Sequence, residues 1–125
     1  MSTTMANIGG HHTLVFDVIK TNSGKGLHPS TGVFTAPSSG LYVFTWTIRE
    51  PGDSYHSVEL VVNGQVFGAL YEHTLPGEMD ASCTNVVIHV NQSDDVFLRT
   101  KMDYNKGSIL STTYGYSSFA GWKLN

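Results

Sequence analysis

TGVFTAPSSGLYVFTWTI, residues 31 to 48, is the stretch that decides the fold of the chain. After the turn over residues 36 to 40, large and small side chains alternate, a pattern typical of a β-strand bounded by Pro and Gly. One face of this strand carries Tyr42, Phe44, Trp46 and Ile48, and the other carries Leu41, Val43, Thr45 and Thr47. Because both faces are substantially apolar, we predict a central strand with core on one side and a second sheet or another subunit on the other.

The composition predicts one globular domain. Of the 125 residues 40% are hydrophobic and 14% are charged, which suits a β-protein with many turns and argues against disorder. The net charge of -3 gives no electrostatic reason to expect nucleic acid as a partner. No apolar run is long enough to span a bilayer, so membrane insertion is not expected. The start, MSTTMANIGGHH, lacks the basic and apolar regions of a signal peptide, so a secreted protein would be represented by its mature or recombinant form.

The rest of the chain also reads as short strands separated by turns. Asn63-Gly64 lies between two β-rich runs and predicts a hairpin, because both central residues of a type I′ turn need positive φ. We predict about eight to ten strands and no helix, closed into a sandwich, barrel or jelly roll. Residues 1–12 are polar and are expected to form an arm or a frayed first strand. The single cysteine, Cys83, excludes an intrachain disulfide and is expected to be buried in a strand.

The spacing of aromatic residues in the opening stretch resembles the globular head domain of the complement C1q family, within the C1q/TNF-like superfamily. The family pattern is matched by Phe16, Asn22, Leu27, Phe34, Gly40, Tyr42, Phe44 and Trp46. Trp46 replaces the usual Phe or Tyr and preserves a large ring. Further matches lie at residues 60–64, 95–98 and 119–122, so the resemblance covers residues 13–125 as a C1q-like globular head domain.

This resemblance implies an all-β, ten-stranded jelly-roll sandwich that assembles as a homotrimer, is secreted, and binds targets without converting them. The variant around residues 42–47 looks most like stand-alone head domains of invertebrate immune lectins. Apolar residues on both faces of the opening strand independently favour an oligomer, because one small monomer does not easily cover that much apolar area. The alternative is that all of these side chains fill a single core.

Three clusters are candidate ligand-binding sites, because each joins a tyrosine to planar polar or charged groups near a turn. Such combinations bind sugars, whose C–H patches cover aromatic rings while paired hydroxyls meet carboxylates or amides. The candidates are Asp53, Tyr55 and His56, then Tyr71, Glu72 and His73, and finally Asp103, Tyr104 and Asn105. The alternative for each tyrosine is half-buried packing with its hydroxyl in water.

Glu78 and Asp80 are the candidate metal ligands. Some members of the resembled family hold calcium near the trimer apex, and the loop that contains these two acids corresponds to that region. Carboxylate oxygens at short spacing suit Ca²⁺, although the family's ligand pattern is not reproduced residue by residue. No other cofactor is expected, and the alternative is that both acids are surface charge.

No nucleophile elbow, zinc motif or phosphate-binding loop is present, so we expect no enzyme. The first functional hypothesis is a secreted, lectin-like pattern-recognition protein of innate immunity that binds microbial surface glycans or lipopolysaccharide through loops of the trimer. The second is a trimeric TNF/C1q-like signalling ligand that engages a protein receptor over a larger footprint.

Overall fold

A computed structural model describes residues 1, 4–6, 9–16, 26–103, 105–112 and 116–124. Eight strands are formed within these ranges: β1 (Leu27–His28), β2 (Val33–Thr35), β3 (Gly40–Glu50), β4 (Ser54–Val62), β5 (Gln65–Thr74), β6 (Asp80–Val90), β7 (Asp95–Thr100) and β8 (Ser118–Lys123). None of the residues in these ranges forms a helix, so no helical segment suited to crossing a membrane is found among them.

The strands form two antiparallel sheets that pack face to face. One sheet has the order β1-β2-β7-β4-β5 and the other the order β6-β3-β8. This arrangement confirms the predicted jelly-roll sandwich. Where ten strands were expected, the described residues outside the eight strands make isolated bridges instead, among them Met5 to Ile109 and Thr13 to Arg99. The alternating apolar residues of TLVFDVIKT also predict a strand over residues 13–21, and of this segment only residues 13–16 are described.

The alternation of β3 is confirmed. Tyr42, Phe44, Trp46 and Ile48 are at most 3% exposed, and they meet the inner residues of β4 and β7 in the core. The Phe44 ring lies between neighbouring rings, with its centroid 5.7 Å from that of Phe34 and 6.0 Å from that of Phe119. The large side chains that the sequence placed on one face therefore build the centre of the core.

The opposite face of β3 is only partly covered in the single chain. Val43 pairs with Val87 on one side and with Trp122 on the other, which puts three apolar side chains in a row across the three-stranded sheet. Val87 is 52% exposed and Trp122 is 51% exposed. We call the row of Val43, Val87 and Trp122 the outer apolar row.

The predicted hairpin at Asn63-Gly64 is confirmed, because the two residues have φ values of 47° and 81°. The expectation for Cys83 is wrong, because its side chain is exposed. On β6 the residues turned to the core are Ser82, Thr84, Val86 and Ile88. Cys83 therefore faces outward, opposite Thr47 in the ladder.

Candidate functional site

Three aromatic side chains meet on the outer face of the β4–β5 hairpin. Tyr55 lies directly opposite His73 in the ladder, and their rings make an edge-to-face contact at 5.5 Å. The Tyr71 ring lies 6.4 Å from the His73 ring, and the Tyr71 side chain is 54% exposed. We call Tyr55, Tyr71 and His73 the aromatic surface. Alternation puts all three on one side, because residues 71 and 73 share a face of β5.

A charged pair stands at one end of this surface. Asp53 occupies the turn before β4 with φ of 57°, and its Oδ2 accepts a hydrogen bond from Lys106 Nζ at 2.9 Å. The Lys106 backbone also pairs with Tyr55, in both directions. Hydrogen bonding to Asp53 raises the pKa of Lys106, so the amine stays charged beside the rings. The aromatic surface thus has both a carboxylate and an ammonium group within the same neighbourhood.

The third predicted cluster borders the aromatic surface through the backbone. Lys101 and Lys106 both pair with the backbone of β4, because the Lys101 amide donates to the Ser57 carbonyl at 2.8 Å and the Lys106 amide donates to the Tyr55 carbonyl at 2.7 Å. Asn105 Nδ2 donates to the Lys101 carbonyl at 2.6 Å and so holds the loop together, while Asp103 is exposed. Tyr104 lies outside the described residues.

Two of the predicted binding residues are turned away from the aromatic surface. His56 is 0% exposed and Glu72 is 4% exposed, because both face the space between the sheets. The sequence placed these residues beside turns, whereas β4 begins at residue 54 and β5 continues to residue 74. Neighbours within a strand point to opposite faces, so we leave His56 and Glu72 out of the surface. Lys106 was not predicted, and a lone lysine in a turn gives no local signal of its partner.

Glu78 and Asp80, the candidate calcium ligands, lie at the junction between β5 and β6. Glu78 is exposed in the loop between β5 and β6, while the Asp80 carboxylate accepts a hydrogen bond from the Ala81 amide at 2.8 Å. Across the described part of the chain, no group of three or more His, Cys, Asp or Glu side chains is arranged to hold a metal ion. Calcium binding at these two residues stays a prediction.

Comparison with known proteins gives relatives at the sequence level. The chain is 29% identical over 126 residues to Complement C1q tumor necrosis factor-related protein 3 of Homo sapiens. The aligned region covers 96% of this chain and 50% of the relative. It is 29% identical over 112 residues to Caprin-2 of Danio rerio, and that aligned region covers 89% of this chain and 12% of the relative. The chain therefore spans half or less of the length of these relatives.

Solved structures share the fold at lower identity. The globular domain of zebrafish complement 1qA protein gives a TM-score of 0.74 at 12% identity, covering 98% of this chain and 96% of that one. Eiger TNF from S. frugiperda gives a TM-score of 0.68 at 13% identity, covering 98% and 92%. The model of the C1q domain family matches residues 1–124. The resemblance in the aromatic spacing is thereby confirmed, and the chain belongs to the C1q domain family.

Proposed function

We propose that the protein is a secreted, non-enzymatic, lectin-like recognition protein of innate immunity that binds microbial glycans or lipopolysaccharide. The observation that carries this proposal is the aromatic surface beside the Asp53–Lys106 pair. An exposed tyrosine ring packs against the C–H patch of a sugar. The flanking Asp53 carboxylate and Lys106 ammonium group bind the sugar's hydroxyls or a phosphate group. The arrangement suits a small ligand fragment and has no need of a deep cavity.

We further propose that the protein is a homotrimer. The outer apolar row of Val43, Val87 and Trp122 supports this, because a contiguous exposed apolar area marks an interaction surface. Membership of the C1q domain family supports it as well. Three copies of a weak site on one particle give avidity for a repetitive surface without new contacts.

The variant Val87→Glu is expected to dissociate the trimer, because it places a carboxylate at one end of the outer apolar row, next to Val43. Light scattering should report three times the 13.6 kDa chain mass for the wild type and a single chain mass for the variant. The matched control is Val66→Glu, which changes a valine of similar exposure on the other sheet, at 47% against 52%. A wild-type protein that is monomeric at micromolar concentration, or a control that dissociates equally, contradicts the proposed interface.

The binding proposal is tested on a glycan and lipopolysaccharide array, with calcium and with EDTA. Binding that persists in EDTA is expected, because no group of three or more His, Cys, Asp or Glu side chains among the described residues is arranged to hold a metal ion. Binding that EDTA abolishes would move the site to Glu78 and Asp80. Absence of binding in both conditions would reject the lectin proposal.

Tyr55→Ala and Tyr71→Ala are each expected to weaken glycan binding about fivefold, since each removes an aromatic contact of roughly 1 kcal/mol. Titration of the best array ligand by calorimetry measures the change. Tyr116→Ala is the control, because Tyr116 is 53% exposed and precedes β8 in the other sheet. If both test variants bind as the wild type does, the aromatic surface is not the site.

The second candidate function is a trimeric signalling ligand for a protein receptor. Val66 and Phe67 favour it, because they extend the exposed apolar area along β5 beyond the aromatic surface. The ladder shifts here and leaves Phe67 as the additional residue of a β-bulge, a feature that re-aims side chains. A receptor would need this larger area, so Phe67→Ala should weaken receptor capture while leaving glycan binding unchanged.

The division into an arm of residues 1–12 and a head of residues 13–125 stays part of the proposal.

A further inference from the structure

The turn between β6 and β7 contains the tripeptide that accepts a glycan on asparagine. It reads Asn91-Gln92-Ser93, and its middle residue is not proline. No other asparagine in the sequence is followed two residues later by Ser or Thr, so these 125 residues contain one acceptor. All three residues of the tripeptide are exposed, directly after the buried Val90 that ends β6. An attached glycan belongs on such a surface turn, because it is bulky and hydrophilic.

The hydrogen bonds that shape this turn use the backbone of Asn91 and the oxygen of its side chain. The Asn91 amide donates to Asp94 Oδ2 at 2.9 Å, and the Asp94 amide donates to the Asn91 carbonyl at 3.0 Å. A third hydrogen bond joins Asn91 Oδ1 to His89 Nε2 at 3.1 Å. A glycan on Asn91 Nδ2 leaves these three hydrogen bonds in place, because a glycosylated asparagine keeps its backbone groups and its side-chain oxygen.

The turn lies at the end of the sandwich opposite to the aromatic surface. Asn63 Nδ2 donates to Asp94 Oδ1 at 2.6 Å, which ties the turn to the hairpin that follows β4. The aromatic surface and the Asp53–Lys106 pair lie at the other end of β4, where that strand begins. The 9 residues of β4 separate its two ends by roughly 25 Å. A bulky group on Asn91 therefore leaves the aromatic surface open.

The turn also lies beyond the outer apolar row. Val87 is the member of that row on β6, and Asn91 follows it by about 13 Å along an extended strand. His89 lies between them, on the same outer face as Val87, and is exposed. The glycan therefore begins past the end of the row, outside the apolar surface that another subunit would cover.

We propose that Asn91 is a site of N-linked glycosylation, whose glycan projects from the end of the domain that faces away from the recognised target. Asn91 Nδ2 forms a bond to the anomeric carbon of an oligosaccharide carried on a polyprenyl diphosphate. The bond from that carbon to the diphosphate oxygen breaks, the diphosphate leaves with the electron pair, and Nδ2 gives up one of its two protons. The oligosaccharyltransferase of the secretory route catalyses this transfer, so the inference rests on the proposed secretion of the protein.

The test is expression of the chain behind a cleavable secretion leader in cultured animal cells, with the mass measured both in the medium and in the cell extract. One glycan should raise the mass above 13.6 kDa, and peptide N-glycosidase should remove that increase. This glycosidase converts the asparagine that held the glycan into aspartate, so peptide mapping should find aspartate at position 91. A wild-type chain without a glycan in both fractions overturns the proposal.

Two variants separate the tripeptide from other sites of attachment. Asn91→Gln and Ser93→Ala should each lose the added mass, because the first removes the acceptor and the second removes the hydroxyl group that the tripeptide requires. The matched control is Asn85→Gln, which changes an exposed asparagine of β6 that lies outside the tripeptide and should keep the glycan. A glycan that persists in Asn91→Gln or Ser93→Ala overturns the assignment to Asn91.

Failure of this proposal and failure of the recognition proposal give different results. The glycan and lipopolysaccharide array is repeated with the wild type before and after treatment with peptide N-glycosidase, and the binding is expected to be the same. A chain that carries no glycan and binds the array overturns only the glycosylation, whereas a glycosylated chain that binds nothing overturns only the recognition function. A change of binding on removal of the glycan contradicts its position away from the aromatic surface.

Discussion

Trp46→Ala should lower the free energy of unfolding by about 3 kcal/mol, a large part of the stability of a domain of this size. The Trp46 side chain is 0% exposed and is the largest fully buried group in the core. Its ring packs over Gly68 of β5, where an added Cβ would lie 3.1 Å from Cη2. The loss of stability should be near the lower end of the range for tryptophan-to-alanine substitutions. Trp46 Nε1 is buried without a hydrogen-bond partner, so removing the side chain also removes the free-energy cost of burying an unpaired donor.

Urea unfolding followed by circular dichroism at fixed protein concentration measures this loss. Tyr71→Ala is the matched control, because Tyr71 is a large aromatic residue that is 54% exposed on the outer face of β5. It should change the free energy of unfolding by less than about 1 kcal/mol. Equal losses in the two variants would mean that Trp46 is not the centre of the core.

His56→Leu should cost about 3 kcal/mol at pH 8 and less at pH 5, because it leaves Glu50 buried without the imidazole that partly offsets its charge. His56 lowers the pKa of Glu50 by hydrogen bonding and by its charge, against the larger effect of burial. Loss of the histidine therefore raises that pKa further. The carboxyl group then has to be neutral in the folded state, which becomes more costly as the pH rises.

Denaturant unfolding at both pH values, on the same set of proteins, checks this second expectation. The double variant Glu50→Gln with His56→Leu should recover at least about half of the loss at pH 8, since it removes the unpaired charge. His28→Leu changes an exposed histidine on β1 and should stay within about 0.5 kcal/mol of the wild type. A loss in His56→Leu that is independent of pH would show that packing alone explains it.

The local parts of this structure could be predicted from the residues themselves. The inward face of β3 follows from alternation over one continuous stretch, and the Asn63-Gly64 turn follows from the positive φ that both residues adopt. Neither needs knowledge of a distant partner. The aromatic spacing around residues 16–46 likewise indicated the family that the comparison then showed.

Which candidate binding residues face outward could be assigned only once the ends of β4 and β5 were known. Tyr55 and His56 are neighbours, as are Tyr71 and Glu72, and the sequence kept each set together near turns. Pairing of β4 with β5 extends both strands past these residues, so alternation sends one member of each set outward and the other inward. Cys83 faces outward for the same reason, because alternation along β6 turns its neighbours Ser82 and Thr84 toward the core.

The sequence alone therefore determined which residues alternate and where the chain turns, because those properties depend on neighbours along the backbone. Only the tertiary structure decided that Lys106 meets Asp53 across 53 residues, and that Glu50, His56, Glu72 and Asp80 converge between the sheets. Strand pairing and sheet packing join segments that are far apart in sequence, and no local pattern specifies the register that brings a particular carboxyl group to another.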